Sequence, residues 1–169
     1  MEDKIRWKKI IHMEIRELIF RGFHPCDGPD TIVVDGEKVK GRWVQGSLVS
    51  FADGGRAILP SKTVVLQQEG TTLLSTKESL EVIPSTVGQY TGLTDKNGKR
   101  IFEGDILKTG KYGIDDGNGH NFAGYETFSV EFEDGGYCLK SRWRRFNMRP
   151  DLDGEVIGTV FDEEAQHDN

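Results

Sequence analysis

Apolar and polar positions alternate with a period of two through most of the chain, and the alternation breaks at Asp-Gly and Asn-Gly pairs. Residues 31–44 alternate around Asp35-Gly36, a pair that tolerates the positive φ angles of a type I′ turn. Residues 43–59 alternate again across Asp53-Gly54-Gly55, and Pro60 stops the strand. Residues 63–66 and 71–74 flank Glu69-Gly70, which predicts a further hairpin. Residues 90–93 and 100–107 flank Asp95-Lys96-Asn97-Gly98, whose Asn-Gly pair predicts a type I′ reversal. Residues 128–132 and 137–139 flank Asp134-Gly135-Gly136, and residues 156–161 form a last strand before a polar acidic tail.

The first 21 residues differ, since they contain neither Gly nor Pro. Trp7, Ile11, Ile15, Leu18 and Ile19 recur at helical spacing there. Lys4, Arg6, Lys8 and Lys9 crowd the first turns, the unfavourable end of a helix dipole for positive charge. A basic amphipathic helix could lie on a membrane surface or bind a partner. The simpler reading is a helix covering the open side of a small sheet.

Composition agrees with strands. Four alanines stand against thirty-five Val, Ile and Thr residues, and β-branched side chains fit a pleated sheet better than a helical turn. One echo recurs 81 residues apart: Val49, Phe51, Asp53, Gly54 and Gly55 match Val130, Phe132, Asp134, Gly135 and Gly136. The match is short, so recurring turn chemistry is preferred over two related units. Residues 109–127 carry five glycines and no apolar period, which predicts a mobile loop inserted between two strands.

Charge narrows the class. The 22 basic and 28 acidic residues leave −6, which gives no general attraction to nucleic acid or anionic membrane. No run is apolar enough to span a bilayer as a helix, so the expectation is a cytoplasmic protein with no membrane partner. Cys26 and Cys138 lack a CxxC partner and read as reduced thiols.

Candidate chemistry fails at the level of spacing. Around residues 115–120, a calcium loop would need oxygen ligands at alternate positions and a glycine at the sixth. Starting at Asp116 puts His120 and Asn121 at the fifth and sixth places, and starting at Asp115 puts Gly117 and Gly119 where ligands belong. His24 and Cys26 supply two zinc ligands at most, and His120 has no histidine near it. Nucleophile elbows, HExxH and P-loops are absent. Glu103-Gly104-Asp105 reads as a turn entering a strand, with Asp105 accepting backbone hydrogen bonds. No enzyme, metal or cofactor is expected.

Residues 140–150 are locally basic: Lys140, Arg142, Arg144, Arg145 and Arg149, with Trp143 and Phe146 interleaved. Arginine forks beside aromatic faces are what single-stranded nucleic acid binding uses, so Lys140, Arg142, Trp143, Arg144, Arg145 and Arg149 are the speculative binding residues. Strand alternation would split them between two faces, and acidic clusters flank the stretch. A solvated edge with Trp143 packing inward is preferred.

Residues 81–107 resemble the YopX family of phage and prophage proteins. The pattern is a valine-rich lead, then Gln89-Tyr90-Thr91-Gly92, Asp95-Lys96-Asn97-Gly98, Phe102 and Glu103-Gly104-Asp105-Ile106. Residues 131–136, 155–158, 42–48 and 16–22 resemble further family elements, so the resemblance covers about residues 13–161. It implies a mainly β protein of small antiparallel hairpin-built sheets, with an SH3-like barrel in the C-terminal half and little helix. Tyr90, Gly92, Asn97, Gly98, Glu103, Gly104 and Asp105 are then structural motif residues, and no catalytic residue carries over.

The implied organisation is an N-terminal extension over 1–12, an N-terminal β region over 13–88, a YopX-type barrel over 89–161 and a disordered tail over 162–169. The opening segment is correspondingly expected as a short helix within 3–12 and a strand near 15–21. The function expected is a non-catalytic phage-encoded protein that binds an unknown protein partner, with a nucleic-acid module or a loop-assembled enzyme as alternatives. An oligomer stays open.

Overall fold

The computed structural model describes residues 18–60, 65–68, 71–74, 79–115, 121–142, 144–150 and 153–162, of which 65–68, 71–74, 110–115 and 121–124 by backbone alone. The expected helix over 3–12, and residues 15–17 of the strand near 15–21, lie outside these residues; of the rest of that strand, residues 20 and 21 are extended.

Among the described residues, thirteen strands follow in chain order. They are β1 (Phe20–Val34), β2 (Glu37–Ser50), β3 (Arg56–Pro60), β4 (Val65–Gln68), β5 (Thr71–Leu74), β6 (Leu80–Val82) and β7 (Gly88–Thr94). Then come β8 (Arg100–Phe102), β9 (Asp105–Asp115), β10 (Asn121–Glu133), β11 (Gly136–Lys140), β12 (Arg145–Asn147) and β13 (Gly154–Thr159). A 3-10 turn, Pro84–Thr86, joins β6 to β7. The protein is mainly β, as the Val, Ile and Thr excess dictates. Its sheets are antiparallel and hairpin-built, and neither large sheet closes among the described residues.

The six-stranded sheet runs β6-β3-β2-β1-β7-β8, and the five-stranded sheet runs β12-β11-β10-β9-β13. Setting β8 aside, the two orders are the same. In each, the third strand leads out to the fourth, and the fifth returns beside the first. The fifth strands also share a spacing: Pro84, Gly88 and Gly92 correspond to Pro150, Gly154 and Gly158. The echo at 49–55 and 130–136 falls on the second-to-third-strand hairpin of both units, a coincidence that turn chemistry alone does not explain. Two like units are therefore the better account.

The turns show how local chemistry was read and misread. Asp35-Gly36 and Asp134-Gly135 both hold positive φ (51° and 81°, 53° and 80°), as type I′ hairpins require. The Asp53-Gly54 reversal is different: Gly54 N–H bonds Phe51 C=O and Phe51 N–H bonds Gly55 C=O, so a type I turn ends on a left-handed glycine. The Asn97-Gly98 reversal repeats that pattern through Gly98 N–H to Asp95 C=O and Asp95 N–H to Lys99 C=O, with Gly98 at φ 80° and Asn97 not positive. The type I′ expectation is corrected there. The Asp95 side chain selects the other turn by accepting the N–H groups of Asn97 and Lys99. Gly98 still needs its left-handed φ, so Gly98→Val should cost about 1–2 kcal/mol and lower the melting temperature by a few degrees. An unchanged melt would contradict this backbone.

A second correction concerns residues 109–127. The described ones, 109–115 and 121–127, form the outer halves of β9 and β10, paired from Asp115↔Asn121 to Thr109↔Glu126 with an irregularity between Gly124 and Glu126. Backbone pairing carries the inner hairpin outward, and the ladder resumes beyond the irregularity beside Gly124. Residues 22–30, with two prolines, lie within β1, whose register jumps between Pro25 and Asp30 opposite Gly41.

Two apolar clusters organise the interior. Val44, Ile58 and Val82 centre the first, while Ile101, Leu107, Phe128, Val130, Leu139 and Val156 form the second. Val87, just before β7, packs on the first, whereas Leu93 of β7 and Ile101 of β8 belong to the second. The β7–β8 hairpin thus hydrogen-bonds with one unit and packs into the other.

Candidate functional site

The two units meet around a buried ion pair. Arg21 of β1 sits in the apolar run Leu18-Ile19-Phe20-Arg21-Gly22-Phe23, so strand formation drives its guanidinium inside. The guanidinium carbon lies 4.5 Å from the centre of the Trp43 ring and 4.9 Å from that of Phe102. Nη1 donates to Asp105 Oδ1 at 2.5 Å, and Asp105 Oδ2 accepts the Phe102 N–H at 2.8 Å. Arg21 is 7% exposed and Asp105 0%. Burial pushes the Asp105 carboxyl above its ordinary pKa, while the Arg21 charge and the Phe102 N–H draw it back. Arg21 Nε finds no partner among the described residues.

Next to this pair the β8–β9 turn is fixed by backbone bonds. Glu103 N–H bonds Gln89 C=O, Gly104 N–H bonds Val130 C=O, and Val160 N–H bonds Gly104 C=O. Gly88 lets the turn approach, since a Cβ there would lie 2.3 Å from Glu103 O. Over this turn lies a groove of about 250 Å³ lined by Thr86, Val87, Glu103, Val130, Glu131 and Phe161, among others. It lies where the 3-10 turn of the first unit faces β10 and the end of the second.

The motif residues expected to be structural surround this junction. Tyr90 packs on Phe102 at 5.6 Å, and Arg100 lies over the Tyr90 ring at 5.4 Å. Gly92 holds a positive φ within β7. Asp105 accepts a backbone hydrogen bond as anticipated, but its main partner is Arg21, which sequence reasoning missed. The signal was there: a single charge inside an apolar run at the start of a strand.

Asp95, buried at 6% exposure, stitches the units a second time. Oδ1 accepts Asn97 and Lys99 N–H groups at 2.8 and 2.9 Å, and Oδ2 accepts Val156 N–H of β13 at 3.1 Å. Burial alone would raise this carboxyl, but the Val156, Lys99 and Asn97 donors outweigh it and hold the pKa below the usual value.

The basic segment lies elsewhere, at the β10–β11–β12 edge. Lys140 Nζ contacts Glu131 and Glu133 at 2.8 Å each. Arg145 contacts Glu133 at 3.1 Å and Asp134 at 2.9 Å, and Arg144 faces Glu126 at 3.6 Å. The hydrogen bonds to Glu131 and Glu133 raise the Lys140 pKa, and Lys140 in turn lowers that of Glu133. Arg142 and Arg149 are exposed, Phe146 packs edge-on to Phe128 at 5.8 Å, and Trp143 lies outside the described residues.

Other candidates scatter. His24 Nδ1 is 2.6 Å from Glu81 C=O, Cys26 and Cys138 are separate free thiols, and residues 116–120 lie outside the described ones. Among the described residues no three His, Cys, Asp or Glu side chains are grouped as a metal would need, and no helix is long and apolar enough to cross a membrane.

Fold and junction together define a small, mainly β protein of two like units locked by a buried Arg–Asp pair. The model of the YopX protein family matches residues 37–165, most of the chain. The chain belongs to the YopX family, as its QYTG and EGDI motifs anticipate. No curated protein matches it.

Proposed function

We propose that this is a non-catalytic, phage- or prophage-encoded protein that works in the bacterial cytoplasm by binding another protein. We read both five-stranded units as SH3-like, the C-terminal one being the barrel anticipated from the family. The observation that carries the reading is the repeated strand order, which sets two small β modules side by side and leaves a side-chain-sized groove between them. Fold alone assigns no activity. The residues around the groove favour recognition over chemistry: Asp105 is held by Arg21 and shut away from solvent, which leaves the 103–105 turn without an available acid–base pair.

The competing nucleic-acid reading loses support from charge. Lys140, Arg144 and Arg145 each face carboxylates of β10 or the turn after it, so a phosphate would have to displace them. Single-stranded oligonucleotides should therefore bind weakly or not at all at physiological salt. If all four arginines of the segment engaged phosphates, affinity would fall with salt at a log–log slope of about −3. Submicromolar binding in a polarisation titration would place nucleic acid first.

The partner reading is tested by crosslinking the tagged full-length chain in lysate of the host and identifying captured proteins by mass spectrometry. One reproducible partner that then binds the purified chain is expected. Failure to find any such partner, in cells with and without the phage genes, would remove the proposal.

A further inference from the structure

We infer that the groove between the units takes one basic side chain, an arginine by fit, from the partner protein, with Glu103 as its counter-charge. The inference rests on the partner-binding reading above and names the chemistry of its contact.

Size comes first. About 250 Å³ is below the range of ordinary small-molecule pockets, and it suits a single long side chain rather than a nucleotide or a folded segment. The lining matches that shape. Val87, Val160 and Phe161 supply apolar surface for a methylene stem, and Glu103 supplies an acceptor for the head. A guanidinium is planar, weakly hydrated for a cation and able to take both carboxylate oxygens, which favours arginine over lysine.

Charge then separates the two carboxylates. Glu131 is already engaged by Lys140 Nζ and by the Ser129 hydroxyl. The Glu103 side chain has no such partner among the described residues, although its backbone is tied to Gln89 and the next residue is bonded on both sides. A carboxylate presented from a fixed turn, beside apolar walls, loses little freedom when a cation arrives. The net charge of −6 favours the approach of a basic segment.

The test titrates the isotope-labelled full chain with Nα-acetyl-arginine amide and, separately, with Nα-acetyl-citrulline amide, a neutral analogue of the same shape. Millimolar arginine amide should move the backbone amide signals of Val87, Gly104 and Val130. Citrulline amide should bind about tenfold more weakly or worse, as expected when a charge-assisted bond is lost. Glu103→Gln, which keeps the shape of the side chain and removes only its charge, should melt as the parent does and lose the arginine response. Equal responses to both amides, shifts confined to other residues, or an unchanged response in Glu103→Gln would each overturn the inference. A partner captured equally by the parent and by Glu103→Gln would overturn it while leaving the partner-binding reading intact. An arginine response with no protein partner found would uphold the groove and remove the wider reading.

Discussion

An Arg21→Ala protein should be less stable than its parent by about 3–5 kcal/mol, the cost of removing one member of a buried ion pair. The substitution takes the guanidinium from between Trp43 and Phe102 and leaves the fully buried Asp105 without its counter-charge. The deficit should depend on pH with a definite direction. Burial already raises the Asp105 pKa, and without Arg21 it acts against only the Phe102 N–H and the charge of Lys99. A carboxyl raised in the folded state favours folding below its unfolded value and loses that contribution as pH rises through its folded value. The variant should therefore recover stability relative to the parent as pH is lowered toward about 4, near the unperturbed aspartate value. Urea denaturation across the acid-to-neutral range measures this. A deficit that stays flat would mean that no charge is stranded. Replacing both partners, as Arg21→Met with Asp105→Leu, should restore much of the loss, less the hydrogen bond to Phe102.

Asp95→Ala should cost about 3 kcal/mol, since three backbone N–H groups lose a charged acceptor together. Here the pH dependence has the opposite direction. The folded-state pKa of Asp95 is lowered, so its contribution is complete above the unfolded value and fades as pH falls through the folded one. The gap between parent and variant should be widest near neutrality and close in acid. Asp95→Asn should fall between them. Its amide oxygen can still accept the two turn N–H groups, but its nitrogen meets Val156 N–H with a donor. Equal stability of parent and Asp95→Ala at neutral pH would show that the turn does not rely on this side chain.

Much of the fold can be read directly from period and turn residues. Asp35-Gly36 and Asp134-Gly135 announce their hairpins because residues with positive φ are few and their backbone twist matches that of the strands. Asn97-Gly98 misled as to turn type because an aspartate two residues earlier captures the same N–H groups. The β9–β10 extension was hidden because its strands carry glycine, and pairing between backbones leaves no apolar signature. The repeat was hinted at by residues 49–55 and 130–136, but the stronger sign, a Pro-x3-Gly-x3-Gly spacing at 84–92 and 150–158, shares no side chain that would draw attention. Arg21 was the largest omission. A pattern of apolar positions treats a charge as a gap, and only the spatial arrival of Asp105 turns that gap into a joint. The groove could not be read at all, because its walls come from four separated stretches of chain.

The Arg21–Asp105 pair also bears on how the protein is made. The two residues are 84 apart in sequence, and the chain entering β1 must also wait for β7 before the Ile19 carbonyl meets Tyr90 N–H. A nascent chain halted before residue 105 would carry the first unit with a guanidinium sunk among aromatic rings and nothing to neutralise it. Vectorial synthesis therefore cannot finish the first unit before the second has begun. The ribosome delivers two modules in series, but they reach their native state as one.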